Sequence, residues 1–167
     1  MRTRQLAWRR LTAWLVDWLC ILILPAVLVP IGLLVHSAGV DVPGWVLNLG
    51  AFLILIVPVT CWLAWCESGP HQATPGKRLR GLRVVGRLGE RATFGRTLVR
   101  NSLKVALPWE LGHTVAYGFA AGSEGAWLTV LTILTYGVLL AWLWSILLPR
   151  TPYDVLSGTQ VITAPAR

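Results

Sequence analysis

Long apolar runs separated by short polar segments dominate the pattern along the chain. Three runs, Leu11–Val35, Trp45–Cys66 and Ala126–Leu148, reach the ~20 apolar residues that a helix needs to cross the ~30 Å hydrocarbon core of a bilayer. A fourth run, Val105–Gly122, is shorter and contains a glutamate and a histidine. Hydropathy alone therefore predicts three membrane-spanning helices and a fourth segment that either spans the membrane or lies in its interface.

Charge placement favours four spans over three. Short loops on the cytoplasmic side of membrane proteins are rich in Lys and Arg, and basic residues cluster before the first run and in the insert Glu67–Arg100. If Val105–Gly122 spans, Arg150 and Arg167 lie on that same side, whereas three spans would place them outside. We therefore predict an all-α transmembrane domain over residues 1–167, in a cell membrane, with both termini and the insert in the cytoplasm.

The composition agrees with a membrane protein. Of the 167 residues, 55% are hydrophobic and 13% are charged, about half the charged fraction of soluble domains. The formal net charge of +8 does not predict a nucleic-acid partner, because aromatic residues do not alternate with the basic ones. The cysteines lie in the apolar runs without Cys-x-x-Cys spacing, which is typical of packing residues. We expect no metal and no other cofactor.

The insert Glu67–Arg100 predicts a short cytoplasmic β-hairpin. Two β-prone runs, Leu82–Val85 and Arg91–Phe94, flank the glycine-containing turn Gly86–Glu90. The segment Gln160–Thr163 is also β-prone and is an alternative partner for Leu82–Val85.

The basic side chains of this insert predict contact with anionic headgroups, each worth about 1 kcal/mol close to the bilayer surface. The residues meant are Lys77, Arg78, Arg80 and Arg83. The alternative is that they only keep the loop inside, as topology determinants.

Asp17 is the most informative side chain, because an acid inside a transmembrane helix costs about 2.5–3.5 kcal/mol on insertion scales and typically marks a pathway or a buried pair. Arg10 lies seven residues earlier on the same face, but a backbone separation of about 10 Å disfavours a direct ion pair. We predict one charge network containing both residues. Asp17 would pair with a second subunit or with a basic residue of another span. The candidates are Arg96, Arg100 and Lys104.

Two further polar segments have a local explanation. Glu110 and His113 are neighbours on one helical face, and Glu-x-x-His binds metals only when other helices add carboxylates, so we favour a polar pair. Thr151 followed by Pro152 and Asp154 is typical of a helix start, with Thr as the N-cap. No nucleophile lies beside a base, so we predict no enzyme.

Three segments in this order resemble the RDD family of small, mainly bacterial integral membrane proteins. They are residues 10–17 (RLTAWLVD), 74–85 (TPGKRLRGLRVV) and 153–161 (YDVLSGTQV), with 108–113 (PWELGH) also similar. The resemblance implies that the arginine and two aspartates of the family name are Arg10, Asp17 and Asp154. In many relatives a histidine precedes the second aspartate, and Tyr153 in its place weakens the case for a His–Asp proton relay.

The resemblance implies a role in transport, with some members proposed as sodium/proton antiporters. One hypothesis is therefore a small oligomeric transporter of protons, cations or another small solute, in which Asp17 binds the ion. The other is a scaffold or accessory subunit. In that case Arg10, Asp17 and Asp154 form structural pairs, and the insert binds anionic lipid or a protein partner. A homo-oligomer or a membrane-protein partner is expected in both.

Overall fold

The computed structural model describes residues 2–40 and 42–164. Arg167, which enters the topology prediction, lies outside them. Within these residues the chain is mostly helical, with one two-stranded sheet. The α-helices are α1 (Arg2–Ile21), α2 (Ile23–Ser37), α3 (Gly44–Ala51), α4 (Val57–Ser68), α5 (Pro75–Leu79), α6 (Phe94–Asn101), α7 (Leu107–Ala120), α8 (Ala126–Ser145) and α9 (Pro152–Ser157), and the strands are β1 (Leu82–Gly86) and β2 (Thr159–Thr163).

Three helical stretches of the described residues are long and apolar enough to cross a membrane, namely Arg4–Ser37, Gly44–Ser68 and Ala126–Ser145. They coincide with the three longest apolar runs, which confirms that part of the prediction. In the first stretch, α1 and α2 meet at Leu22. Pro25 lies three residues later and lacks the backbone N–H that would donate a hydrogen bond to the preceding turn. Hydrogen bonds on both sides of Leu22, of 2.9 and 3.0 Å, carry the helix across this position.

A wide π-helical turn precedes a proline in each of the next two long helices. Residues Phe52–Ile56 link α3 to α4 before Pro58, and residues Ser102–Ala106 link α6 to α7 before Pro108. Proline lacks an N–H and crowds the preceding turn, and a π turn is one way for a helix to accommodate such a residue. Both helices therefore continue through their proline.

Residues 94–120 consequently form one continuous helix, about 40 Å long at 1.5 Å per residue. It packs antiparallel to Gly44–Ser68 along its length, with α6 against α4 and α7 against α3. The predicted insert Glu67–Arg100 therefore ends at Thr93. Its last residues are helical because the Thr93 hydroxyl caps α6 by accepting the N–H of Arg96.

The small sheet differs from the predicted hairpin. Strand β1 pairs antiparallel with β2, with Val84 opposite Val161, whereas Arg91 forms only an isolated bridge to Val85. The hairpin of Leu82–Val85 with Arg91–Phe94 is therefore wrong. The second run has only the Arg91 bridge and ends at the helix cap Thr93 and at Phe94, the first residue of α6. The alternative pairing with Gln160–Thr163 is confirmed, as is the helix start at Thr151, whose hydroxyl accepts the N–H of Asp154.

Apolar side chains are buried in two clusters. One lies between the first three long helices and contains Ile21, Leu55, Val59, Leu63 and Val105. The other lies where the sheet packs on α1 and contains Ala13, Leu82, Val84 and Val161. By contrast, α2 has no buried residue, as expected for a helix whose apolar surface faces lipid.

Candidate functional site

Five buried charged side chains form one continuous network at the end of the bundle next to the sheet. In order of contact they are Asp17, Lys77, Glu67, Arg100 and Asp154. The Lys77 Nζ lies 3.7 Å from Asp17 Oδ2 and 2.8 Å from Glu67 Oε1. The Arg100 Nη1 donates to both Glu67 oxygens at 2.7 and 2.9 Å, and its Nε donates to Asp154 Oδ1 at 2.7 Å. The network thus joins α1, α5, α4, α6 and α9.

The Asp17 carboxylate receives its donors from the insert. The Thr74 hydroxyl donates to Oδ2 at 2.6 Å, and the Gly76 N–H donates to Oδ1 at 2.8 Å. Asp17 therefore pairs with Lys77 and with none of Arg96, Arg100 and Lys104. Both of its oxygens hold a donor, which is the arrangement of a carboxylate that fixes one segment against another.

The segment 74–77 is built to fit against α1. Thr74 caps α5 and Pro75 occupies its first turn, where a missing N–H costs nothing. A Cβ on Gly76 would collide with the backbone carbonyl of Ala13 and would lie 2.8 Å from Asp17 Oδ1. Only glycine therefore fits at this contact. The tight approach turns Lys77 inward, so that its side chain is only 7% exposed. By contrast, the sequence predicts that Lys77 contacts lipid headgroups.

Glu67 is the centre of the network, and sequence analysis did not identify it. Its side chain is 0% exposed, and the Asn101 Nδ2 adds a hydrogen bond of 2.8 Å to those from Lys77 and Arg100. Glu67 directly follows the second apolar run, and an acid at the end of an apolar helix has an ordinary explanation as a solvated residue. The available signal was its position beside an insert rich in basic residues.

Arg10 stabilises the other side of the site without an ion pair to Asp17. Its guanidinium donates to the carbonyls of Leu148 and Pro149 at 2.9 and 3.0 Å, and to that of Val161 at 3.4 Å. The first two carbonyls lie just after α8, and the third belongs to β2. Arg10 therefore ties α1 to the C-terminal segment through backbone acceptors.

Asp154 is held in its charged form. Burial alone would raise the pKa of its carboxyl group, but the attraction of Arg100 and hydrogen bonds from Arg100 and Thr151 outweigh burial and lower the pKa below its ordinary value. Tyr153 packs beside this pair, with the Arg100 guanidinium carbon 5.4 Å from the centre of its ring, a cation–π geometry. Tyr153 thus supports Arg100 from the position directly before Asp154.

A family comparison agrees with this geometry. A model of the RDD family matches residues 4–158, nearly the whole chain. The chain belongs to the RDD family. Comparisons with curated proteins and with solved structures give no significant match. The three segments that resembled the RDD family meet in the network, since residues 10–17 supply Asp17, residues 74–85 supply Lys77 and residues 153–161 supply Asp154.

Three of the other candidate residues in this RDD protein lie away from the network. Arg96 forms an ion pair of 2.7 Å with Glu90, and both side chains are nearly half exposed. In the half of the bundle formed by α3 and α7, Glu110 accepts from the Asn48 Nδ2 at 2.9 Å. The neighbouring His113 interacts instead with the carbonyl of Trp109, at 2.8 Å. Glu110 and His113 therefore have separate partners.

The basic residues of the insert divide into two groups. Lys77 belongs to the buried network, whereas Arg78 and Arg80 are exposed and Arg83 is half-buried in β1. Only the second group is placed to meet a surface outside the protein.

A cavity of about 300 Å³ adjoins the network. Asp17, Lys77, Arg100 and Asp154 lie on one side of it, together with Lys104. The remaining wall is largely apolar and comes mainly from α1, α7 and α8, with Leu63, Leu82 and Val161 added from α4 and the two strands. The site therefore combines a network of ion-paired side chains with an adjoining space that none of them fills.

Proposed function

We propose that this RDD protein is a non-transporting scaffold or accessory subunit of the cell membrane, in which the buried charges fix the cytoplasmic segments to the helices. The observation that carries this proposal is the state of Asp17, whose two oxygens both hold donors from residues 74–76. A carrier carboxylate has to exchange its ligand, and this one is occupied by the protein itself. No catalytic role is part of the proposal.

The length of the first helix supports the same role for Asp17. Residues 2–37 span about 54 Å at 1.5 Å per residue, well beyond a ~30 Å hydrocarbon core. About 20 residues counted back from Ser37 reach Trp18. Asp17 then lies at the cytoplasmic boundary of the membrane, where the insert can reach it.

Four spans, with both termini and the insert in the cytoplasm, complete the proposal. The helix 94–120 lies antiparallel to Gly44–Ser68 over its whole length, which supports spanning over an interfacial position. Exposed Arg78 and Arg80 would contact anionic headgroups on the cytoplasmic face. A second copy or another membrane protein would bind the lipid-facing helices, among them α2.

Cysteine labelling tests the topology. In a protein whose native cysteines are replaced by alanine, an impermeant maleimide should label Glu124→Cys in intact cells. Leu88→Cys and Thr163→Cys should react only after lysis, because they share the side of the basic residues. Labelling of Thr163→Cys from outside would contradict four spans and favour three with an interfacial 105–122 segment.

Transport is the second candidate function, and one separate observation favours it. Glu110 Oε2 and Asn48 Oδ1 are buried without a hydrogen-bond partner among the described residues. Both atoms are acceptors, and they belong to side chains that already contact each other. A proton or a small cation held by Glu110 would satisfy them.

A flux assay in proteoliposomes distinguishes the two functions. For a scaffold, wild-type protein should move no more protons or sodium ions than protein-free liposomes. Asp17→Asn should lower the free energy of unfolding by about 1.5–3 kcal/mol, because an amide cannot accept all the donors of a carboxylate. The measurements are ion flux and thermal unfolding of the same preparations.

The variant Glu110→Gln serves as the comparison. Wild-type flux that disappears in Glu110→Gln at unchanged thermal stability would establish transport and overturn the scaffold proposal. An Asp17→Asn protein that is stable but has lost flux would do the same and would make Asp17 the carrier residue.

A further inference from the structure

The cavity beside the charge network has a mainly apolar wall, as expected for a site that binds an apolar chain. Four indoles line it, and their residues are Trp14, Trp18, Trp109 and Trp142. Leu139 and Leu143 of α8 complete this side. Its volume of about 300 Å³ lies at the small end of the range for ligand pockets, about 300–1,000 Å³, and suits a single chain.

A second cavity extends this space along α1 and α8. Its volume is about 660 Å³, and it shares Leu143 and Ile146 with the first cavity. Its wall is also mainly apolar, with Trp8 and Trp144 among its residues. A chain longer than the first cavity therefore has an apolar continuation between α1 and α8.

The charges around the first cavity leave one cation without a partner. Arg10, Lys77, Arg100 and Lys104 line it, whereas the acids in or behind its wall are Asp17, Asp154 and Glu67. Each acid is already bound to Lys77 or Arg100. Among the residues that the structure describes, no carboxylate lies within ion-pair distance of Lys104. Arg10 has no carboxylate partner either, but its guanidinium is held by the carbonyls of Leu148 and Pro149. Among the described residues, Lys104 is therefore the cation of this wall whose side chain has neither an ion pair nor a hydrogen bond.

We propose that this cavity binds an amphiphilic anion, with a carboxylate or phosphate on Lys104 and one acyl chain against the tryptophans. The proposal goes beyond the scaffold or transport role, since either kind of protein can hold such a ligand. A fatty acid and a single chain of an anionic phospholipid share this chemistry. Lys104 follows Arg100 of the network by about one helical turn, so a charged headgroup bound there would lie beside the buried charges.

Binding of palmitate and of lysophosphatidylglycerol to the delipidated, purified full-length protein tests the proposal. Brominated forms of both probes should quench tryptophan fluorescence at saturation, because four tryptophans line the cavity. Lys104→Met should weaken binding of at least one probe by about tenfold or more, the effect of one charge-assisted contact. Hexadecanol, which has the chain without the charge, should bind wild type and Lys104→Met alike.

Arg9→Met is the matched control, because Arg9 is an exposed basic residue of α1 that lines neither cavity. It should leave the affinity of both probes unchanged. Leu139→Trp should abolish binding by filling the cavity, and it tests the proposal without changing any charge. If Lys104→Met weakens the binding of palmitate alone, the ligand is a fatty acid. If it weakens the binding of lysophosphatidylglycerol alone, the ligand is an anionic phospholipid.

Two results would overturn the proposal. One is equal affinity of wild type, Lys104→Met and Leu139→Trp for both probes. The other is a loss in Arg9→Met as large as that in Lys104→Met, because it would mean that anions bind the basic surface and not the cavity. Neither result bears on ion flux, so this proposal and the proposed function fail separately.

Discussion

Glu67→Gln should lower the free energy of unfolding by about 3–5 kcal/mol, the usual loss when one member of a buried ion pair is removed. The Glu67 carboxylate is shared by Lys77 and Arg100 at 2.7–2.9 Å, and Asn101 donates to it as well. Glutamine has the same shape but no charge, so two buried cations would lose their common partner. Denaturant or thermal unfolding of the purified protein in detergent measures the effect.

Glu90→Gln is the matched control for this substitution. Glu90 is also ion-paired to an arginine of α6, Arg96, at 2.7 Å, but the two side chains are 44% and 48% exposed. Exposed pairs contribute little because water and salt screen them. We therefore expect almost no change in stability. Equal stability of Glu67→Gln and Glu90→Gln would show that the buried network does not hold the helices together.

The sequence pattern predicts the long helices well because burial in lipid requires apolar residues on all faces. It does not predict the start of the helix at Phe94. The segment α6 buries polar residues, Thr97, Arg100 and Asn101, towards the network. Hydropathy assigns such a segment to a surface insert, since only tertiary contacts show that its polar face is covered.

The sheet shows the same limit of local information. Leu82–Val85 has two β-prone candidate partners, and the nearer one in sequence is favoured by its short turn. In the structure the nearer run keeps only the bridge from Arg91 to Val85, because Thr93 caps α6 and Phe94 begins it. The C-terminal segment forms the paired strand instead. A capping hydroxyl thus decides a strand pairing that β-propensity leaves open.

The charged residues of the site were only partly predictable for a related reason. The cost of burying an acid draws attention to Asp17 whatever the fold, and the family resemblance adds Asp154. Which cation pairs with which acid depends on how the helices cross. The distances between side chains on different helices cannot be derived from the sequence pattern. Lys77 therefore looks like its neighbours Arg78 and Arg80, although the approach of Gly76 to α1 buries it.

Gly76→Ala should destabilise the protein by about 3 kcal/mol or more, although it adds a single methyl group. The new Cβ would collide with the Ala13 carbonyl, and backbone atoms in a packed contact cannot move aside as a flexible side chain can. Overpacking of this kind costs about 1–3 kcal/mol. Displacing α5 would also break the hydrogen bond from the Gly76 N–H to Asp17, worth about 1.5–3 kcal/mol for a charged acceptor.

The same substitution at Gly95 should have the opposite sign. Gly95 lies in α6, and a Cβ there would meet nothing within 4 Å, so alanine should stabilise the helix by up to about 1 kcal/mol through its higher helix propensity. Unfolding of both variants and wild type in one detergent gives the comparison. If Gly76→Ala were as stable as Gly95→Ala, the insert would not rest on α1 as described. Asp17 would then lack the donors that make it a structural residue, and its assignment as a carrier would become the better explanation.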